Sequence, residues 1–245
     1  MTRNLILVSL LVVATTAAQV TAPKEKIAFR AGDYPPGKFK ITQKSLAHGT
    51  VNIRVIQVKN LGYTMEPDTC RAWLEVRKGN QLLKRFYYRD INPVGSSFGL
   101  FLPKQQPSPD YFVAVKEGDY DGRLLMVDRD GNTHDLLGGF FFVTEDRRFL
   151  VSEYFSDLYA LVVFDLKENK PVLEARDLPE IGSWYKDDSG YFFIEYGSPN
   201  HAERLDLERG QLVKITVSRA ERSKARKVTY DFDDRNKRDC TSDLQ

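Results

Sequence analysis

The chain has 245 residues, 42% of them hydrophobic and 29% charged. That balance excludes a largely disordered polypeptide and leaves room for one large all-β domain or two small ones. With 36 basic and 34 acidic residues the net charge is only +2, which gives no electrostatic reason to bind nucleic acid or an anionic membrane.

Arg3, the apolar run from Leu5 to Ala14 and the small residues Thr15 to Ala18 have the form of a secretory signal peptide over residues 1–18, cut after Ala18. The run is too short to span a bilayer, which takes about 20 apolar residues. No second long apolar segment follows, so no membrane span is expected after cleavage. Removal of residues 1–18 takes away Arg3 and leaves 35 basic against 34 acidic residues. The expected location is secreted or periplasmic. In that setting Cys70 and Cys240, 170 residues apart, are read as one disulfide. Closing so long a loop is worth about 4–5 kcal/mol in the chain-entropy model.

Residues 19–49 read as an irregular N-terminal segment, with Asp33-Tyr34-Pro35-Pro36-Gly37 as a turn and one short strand over 39–42. From residue 50 to 217 the pattern becomes that of a β-repeat domain. VNIRVIQV (51–58) alternates apolar and polar residues, as a half-buried strand does. CRAWLEV (70–76) and QLLKRFYY (81–88) flank a Gly79-Asn80 turn, a hairpin signature. After a proline-rich stretch the same unit returns at PSPDYFVAV (107–115) with GRLLMVD (122–128), then at FFVTEDRRFLVSEY (141–154), then at WYKDDSGYFFIEY (184–196). Tyr111 to Phe149 is 38 residues and Phe149 to Tyr191 is 42; Asp128 to Asp165 is 37 and Asp165 to Asp206 is 41. The second strand of the later units ends on Ser-Glu-Tyr (152–154) or Glu-Tyr (195–196).

A period near forty with several short strands per unit is the mark of stacked antiparallel sheets that cannot bury both faces alone. The unit resembles the blades of the TolB and WD-related propellers, on the turns Ser108-Pro109-Asp110, Thr144-Glu145-Asp146 and Lys186-Asp187-Asp188-Ser189-Gly190 and the hairpins at Asp130-Gly131 and Arg209-Gly210. It departs from them in lacking a complete Ser-Pro-Asp-Gly or a strand-ending Trp-Asp, and in having about four units. The resemblance implies a fold and no activity. The expected architecture is therefore all-β, a propeller-like stack of about four antiparallel blades. A ring clasped by the disulfide is the favoured closure; an open stack and a β-sandwich are the alternatives.

The tail, 218–245, is charged. RAERSKARK (219–227), with five basic residues and one acid, reads as a helix or extended arm, and VTYDF (228–232) as a strand that could complete the first blade. Elsewhere, signatures of chemistry are missing. His48, His134 and His201 stand in no zinc-ligand spacing. No Gly-x-Ser-x-Gly, Ser-x-x-Lys, Walker or GxGxxG element occurs, so no catalytic residue, metal ligand or cofactor is assigned. Asp128-x-Asp130-Gly131-Asn132 has the first spacings of a calcium loop, but its glycine is misplaced and position 12 is Gly139; it reads as a hairpin turn.

The function these observations favour is an exported, non-catalytic binding or scaffold module of unknown ligand. Its contacts would come from the loops 62–69, 92–109, 117–121, 155–158 and 197–201, with Tyr63, Tyr120, Phe155 and Asn200 as candidates. The partner would be another exported or envelope protein. A secreted hydrolase with His201, His134 and nearby carboxylates in one cleft is the alternative from another class, and a subunit docking through its tail onto an envelope complex is the third.

Overall fold

In the computed structural model the described residues are 28–61, 70–89, 99–103, 106–117, 122–155, 159–198 and 200–231. They form four antiparallel sheets, each a meander of consecutive strands. The first holds β1 (Phe39–His48), β2 (Val51–Asn60), β3 (Cys70–Lys78) and β4 (Gln81–Arg89). The second holds β5 (Gly99–Phe101), β6 (Tyr111–Glu117), β7 (Arg123–Asp128) and β8 (Thr133–Leu137). The third holds β9 (Phe140–Val143), β10 (Phe149–Phe155), β11 (Tyr159–Asp165) and β12 (Lys170–Leu178). The fourth holds β13 (Ile181–Asp187), β14 (Gly190–Glu195), β15 (His201–Asp206) and β16 (Gln211–Thr216), with a two-residue strand β17 (Arg226–Lys227) added beside β13.

The repeats read from the sequence coincide with these sheets. In the last three sheets Tyr111 and Phe149 open the second strand and Tyr191 is its second residue, and Asp128, Asp165 and Asp206 close the third strand. The aspartates recur because each organises the hairpin that follows. Asp128 Oδ1 accepts the backbone N–H of Asp130 and Asn132 at 2.9 and 2.8 Å. Asp165 Oδ1 accepts those of Lys167 and Glu168 at 2.9 and 3.0 Å, and Asp206 Oδ1 that of Arg209 at 3.1 Å. These side-chain acceptors supply the turn with the partners its backbone donors need.

Side-chain alternation makes every inner sheet two-faced. In the second sheet Phe112, Ala114, Leu125 and Val127 pack on Val51, Ile53, Val55, Leu74 and Val76 of the first. Its other face, Tyr111, Val113, Val115, Leu124 and Met126, meets Phe141, Leu150 and Phe164 of the third. The third sheet's opposite face, with Phe142, Phe149, Val151 and Val163, meets Trp184, Tyr191, Phe193 and Leu205 of the fourth. Burying a side chain of this size is worth about 1.5–3 kcal/mol, so each interface contributes through several such residues. The turns are keyed to the neighbouring sheets. A Cβ on Gly210, which has φ +61°, would run into the Val172 carbonyl, so the β15–β16 turn can seat against β12 only with glycine there.

Among the described residues no core cluster joins the first sheet to the fourth. The described residues form the expected stack of four antiparallel sheets and not a two-sheet sandwich. Each end of the stack is covered by the chain itself. Phe29, Tyr34 and Phe39 cover Trp73, Ile56 and Val58 on the outer face of the first sheet. Val217 and Ala225 cover Phe192, Ile194 and Ala202 on the fourth; these two residues flank α1 (Arg219–Lys224), whose N-cap Ser218 forms a capping box with Glu221. Terminal repeats with their own covering segments are what a one-dimensional stack requires.

Two further expectations change. The first sheet begins upstream of residue 50, with β1 occupying ten residues of the segment read as irregular. Its polar edge-strand pattern hides it, since only alternate residues are even half-buried. Residues 228–231 do not join the first sheet; they run against the third and fourth, as described below. The Cys70–Cys240 pairing lies outside the described residues.

Candidate functional site

At the seam between the third and fourth sheets lies a cleft of about 630 Å³. Its walls come from the end of β10 (Glu153, Tyr154), the start of β11 (Tyr159), the β12–β13 connection (Glu180), β13 (Trp184) and the residue after β14 (Tyr196). The C-terminal segment Lys227–Tyr230 forms one side. This segment is tied to the edges of both sheets. Val228 donates its N–H to the Trp184 carbonyl at 2.9 Å, and Asp231 donates its own to the Phe141 carbonyl at 2.9 Å. The Asp231 carboxylate in turn accepts the Val143 N–H at 2.8 Å. The Tyr230 ring stands 5.7 Å from that of Phe140.

Glu153 is the polar centre. It is 9% exposed, and its side chain points to the fourth sheet because β10 residues of the same parity, Phe149 and Val151, do so. A buried carboxylate needs donors. The Trp184 indole Nε1 donates to Glu153 Oε2 at 2.9 Å, and the Tyr230 hydroxyl donates to Oε1. Nearby, Tyr159 donates to Glu180. Desolvation, then the charge and hydrogen bond of Glu180, then the charge of Glu153 push the Tyr159 phenol up to about 12. Tyr196 is 70% exposed at the mouth.

Of the residues singled out in the sequence, Tyr63, Tyr120 and Cys240 lie outside the described residues, as does the side chain of Cys70. Phe155 ends β10 and is paired in register with the cleft residue Tyr159. Asn200 is exposed in the β14–β15 turn, where its carbonyl accepts the Val217 N–H at 3.1 Å; it does not line the cleft. The histidines are dispersed. His48 contacts the Asp110 carbonyl at 3.2 Å, His134 contacts Asn169 at 2.7 Å, and His201 lies 4.0 Å from Glu195. None lines the cleft.

Asp128 in the β7–β8 hairpin is engaged as an acceptor for Asp130 and Asn132. Desolvation alone would raise its pKa. Hydrogen bonds from Asn132, Asp130 and Gly131 outweigh that and hold it below the ordinary carboxylate value. Among the described residues no three His, Cys, Asp or Glu side chains gather to hold a metal ion. No helix among them is long and apolar enough to cross a membrane.

No protein-family model matches the chain, and no curated protein does. Among solved structures it is similar to a structural genomics protein of unknown function from Bacteroides thetaiotaomicron VPI-5482, at 12% identity and a TM-score of 0.31. That match covers 74% of this chain and 60% of the other. A likeness at that level leaves the reading of the site to its own geometry.

The cleft's residues were not singled out from the sequence, yet one signal was present. The Glu-Tyr that recurs near the end of the second strand in the third and fourth sheets supplies Glu153 with Tyr154, and, one repeat later, Tyr196.

Proposed function

We propose that the chain is an exported, non-catalytic binding module built from propeller-like blades, and that its ligand site is the cleft at the seam of the third and fourth sheets. One observation carries the reading: a concave site of about 630 Å³, in the size range of about 300–1,000 Å³ typical of small-molecule sites, lined by aromatic rings whose polar tips converge on a buried carboxylate. Rigid strand ends position these groups, and the chain's own C-terminal segment closes one side. The polar pocket beside Glu145 and Arg147, at about 150 Å³, is too small for a comparable ligand. The cleft acids are engaged by an indole and two phenols, and no histidine stands among them to move a proton. That arrangement suits recognition better than hydrolysis. Export rests on the apolar leader.

A ligand-observed NMR screen of a fragment library spanning amines, carboxylic acids, neutral aromatics and sugars tests the site on the full chain and on Tyr196→Ala. Tyr196 is exposed, so its truncation leaves the fold intact. Hits that weaken in Tyr196→Ala are expected. A library with no hits, or hits indifferent to that substitution, would overturn the reading. Export is checked by fractionation and by N-terminal sequencing, which should begin at Gln19.

A further inference from the structure

The segment that closes the cleft is held as a strand-addition peptide is held. Edge strands present a row of backbone donors and acceptors that another extended chain can pair. Among the described strands β9 is an edge of the third sheet, and β13 is the edge of the fourth on which β17 lies. Residues 226–231 serve both edges. Arg226 and Lys227 pair with Lys186 and Tyr185 of β13, and the Val228 N–H reaches the Trp184 carbonyl. Asp231 then stands on β9, where its N–H reaches the Phe141 carbonyl and its carboxylate accepts the Val143 N–H. Phe141 and Val143 are two apart, so these groups leave β9 on the same side.

Side chains along the segment alternate as in a strand. Val228 and Tyr230 are half-buried and pack on the cluster that holds Phe142 and Trp184, while Lys227, Thr229 and Asp231 are exposed. The Tyr230 ring lies 5.7 Å from that of Phe140 and 6.4 Å from that of Phe142, and its hydroxyl donates to Glu153. In such a mode main-chain bonds supply affinity and alternate side chains supply specificity. Every residue of the segment is exposed or half-buried. A stretch with so little buried surface belongs to the part of a fold that opens locally at low cost.

We propose that the neighbouring edges of β9 and β13 are a strand-addition site for an extended peptide of a partner protein, and that residues 226–231 fill it as an internal surrogate. The surrogate specifies the partner: an apolar residue, any residue, a tyrosine and an acid in succession. The apolar residue takes the place of Val228, the tyrosine answers Glu153, and the acid caps the Val143 N–H. This site stands whether or not the cleft takes a small molecule, since it is built on the backbone of two edges.

An amidated peptide of residues 226–231 carrying an N-terminal fluorescein tests this by fluorescence anisotropy on the full chain. Two variants loosen the surrogate and leave both edges unchanged: Tyr230→Ala combined with Asp231→Ala, and Val228→Pro, which removes the N–H given to Trp184. Both should bind the peptide at least about tenfold more tightly than the wild type, whose own segment competes. Alanine in place of the peptide's tyrosine or aspartate should weaken binding about tenfold. The Val143 amide should exchange faster in the double variant and slow again with peptide bound. Absent binding, equal affinity for wild type and variants, indifference to those alanines, or a Val143 amide that stays fast would overturn the proposal. So would unfolding of both variants, read by circular dichroism, because the segment would then be part of the fold and not a guest. A wild-type dimer lost in the double variant would assign the site to a second copy and overturn the partner assignment. The reading of the cleft as a small-molecule site falls only if the fragment screen is silent or insensitive to Tyr196→Ala.

Discussion

Trp184 on the fourth sheet donates its indole N–H to Glu153 on the third at 2.9 Å, and both side chains are buried, at 1% and 9% exposure. This bond crosses the interface between two repeats at the floor of the cleft. It makes the packing of the repeats and the construction of the site a single problem. Trp184→Phe keeps most of the ring and removes the donor. The substitution should cost about 1–3 kcal/mol, read as a Tm lower by about 2–4 °C per kcal/mol for a chain of this size. Glu153→Gln keeps an acceptor for the indole and should cost less than Glu153→Ala. Equal losses for these two would show that the bond is dispensable.

Alkaline titration should reveal two late phenols. Burial first, then Asp128, Asp110 and Asp165, push Tyr111 up to about 12, and Tyr159 is pushed to about 12 by the causes given above. In the unfolded chain both ionise at the ordinary 10.0. The unfolded state therefore loses these protons first. Their contribution to stability is complete below pH 10 and is lost as pH rises toward 12. Phenolate absorbance should lack one late group in Tyr159→Phe, and Glu180→Gln should bring the Tyr159 step to lower pH. A late step unchanged in Tyr159→Phe would refute the assignment.

The C-terminal segment should act as a wall of the cleft. Replacing Tyr230 and Asp231 together by alanine removes the hydroxyl donor to Glu153 and the acceptor for the Val143 N–H. Trp184 fluorescence should then shift to the red as water reaches the indole. The chain's other tryptophan, Trp73, is fully buried in the first sheet and should keep its blue component. No shift in the double variant would mean that the cleft stays closed without the segment.

Glu75 should be among the costliest charged residues to remove. Its side chain is 3% exposed beneath Arg85, Arg77 and Arg54 at 2.8, 3.3 and 3.9 Å. Glu75→Ala leaves three guanidinium groups facing one another around an empty site and should cost about 3 kcal/mol. Arg54→Ala removes a half-exposed partner and should cost under about 1 kcal/mol. Denaturant midpoints with unchanged slopes check both.

The repeats were legible because their signals are local. Asp128, Asp165 and Asp206 bind the turn that follows them within four residues, and Tyr111, Phe149 and Tyr191 stand first or second in strands whose alternation is visible in the chain. The first sheet was fainter for the same reason. Its hairpins turn on Gly49-Thr50 and Gly79-Asn80 without a strand-ending aspartate, and its edge strand β1 buries no residue fully. The cleft escaped because its walls come from six separate segments, from Phe140 to Tyr230. No spacing links Glu153 to Trp184, or Tyr159 to Glu180.

The amino-acid order alone determined the all-β character, the number of sheets and the second and third strands of the last three repeats, since period-two alternation and turn chemistry act between residues a few positions apart. Only the tertiary structure decided that Phe29, Tyr34 and Phe39 cover one outer face and Val217 and Ala225 the other, and that Glu153, Tyr154, Tyr196 and residues 227–230 enclose one cleft. Those outcomes depend on which apolar faces meet across long sequence separations, and burial is a property of the assembled surfaces, carried by no single segment.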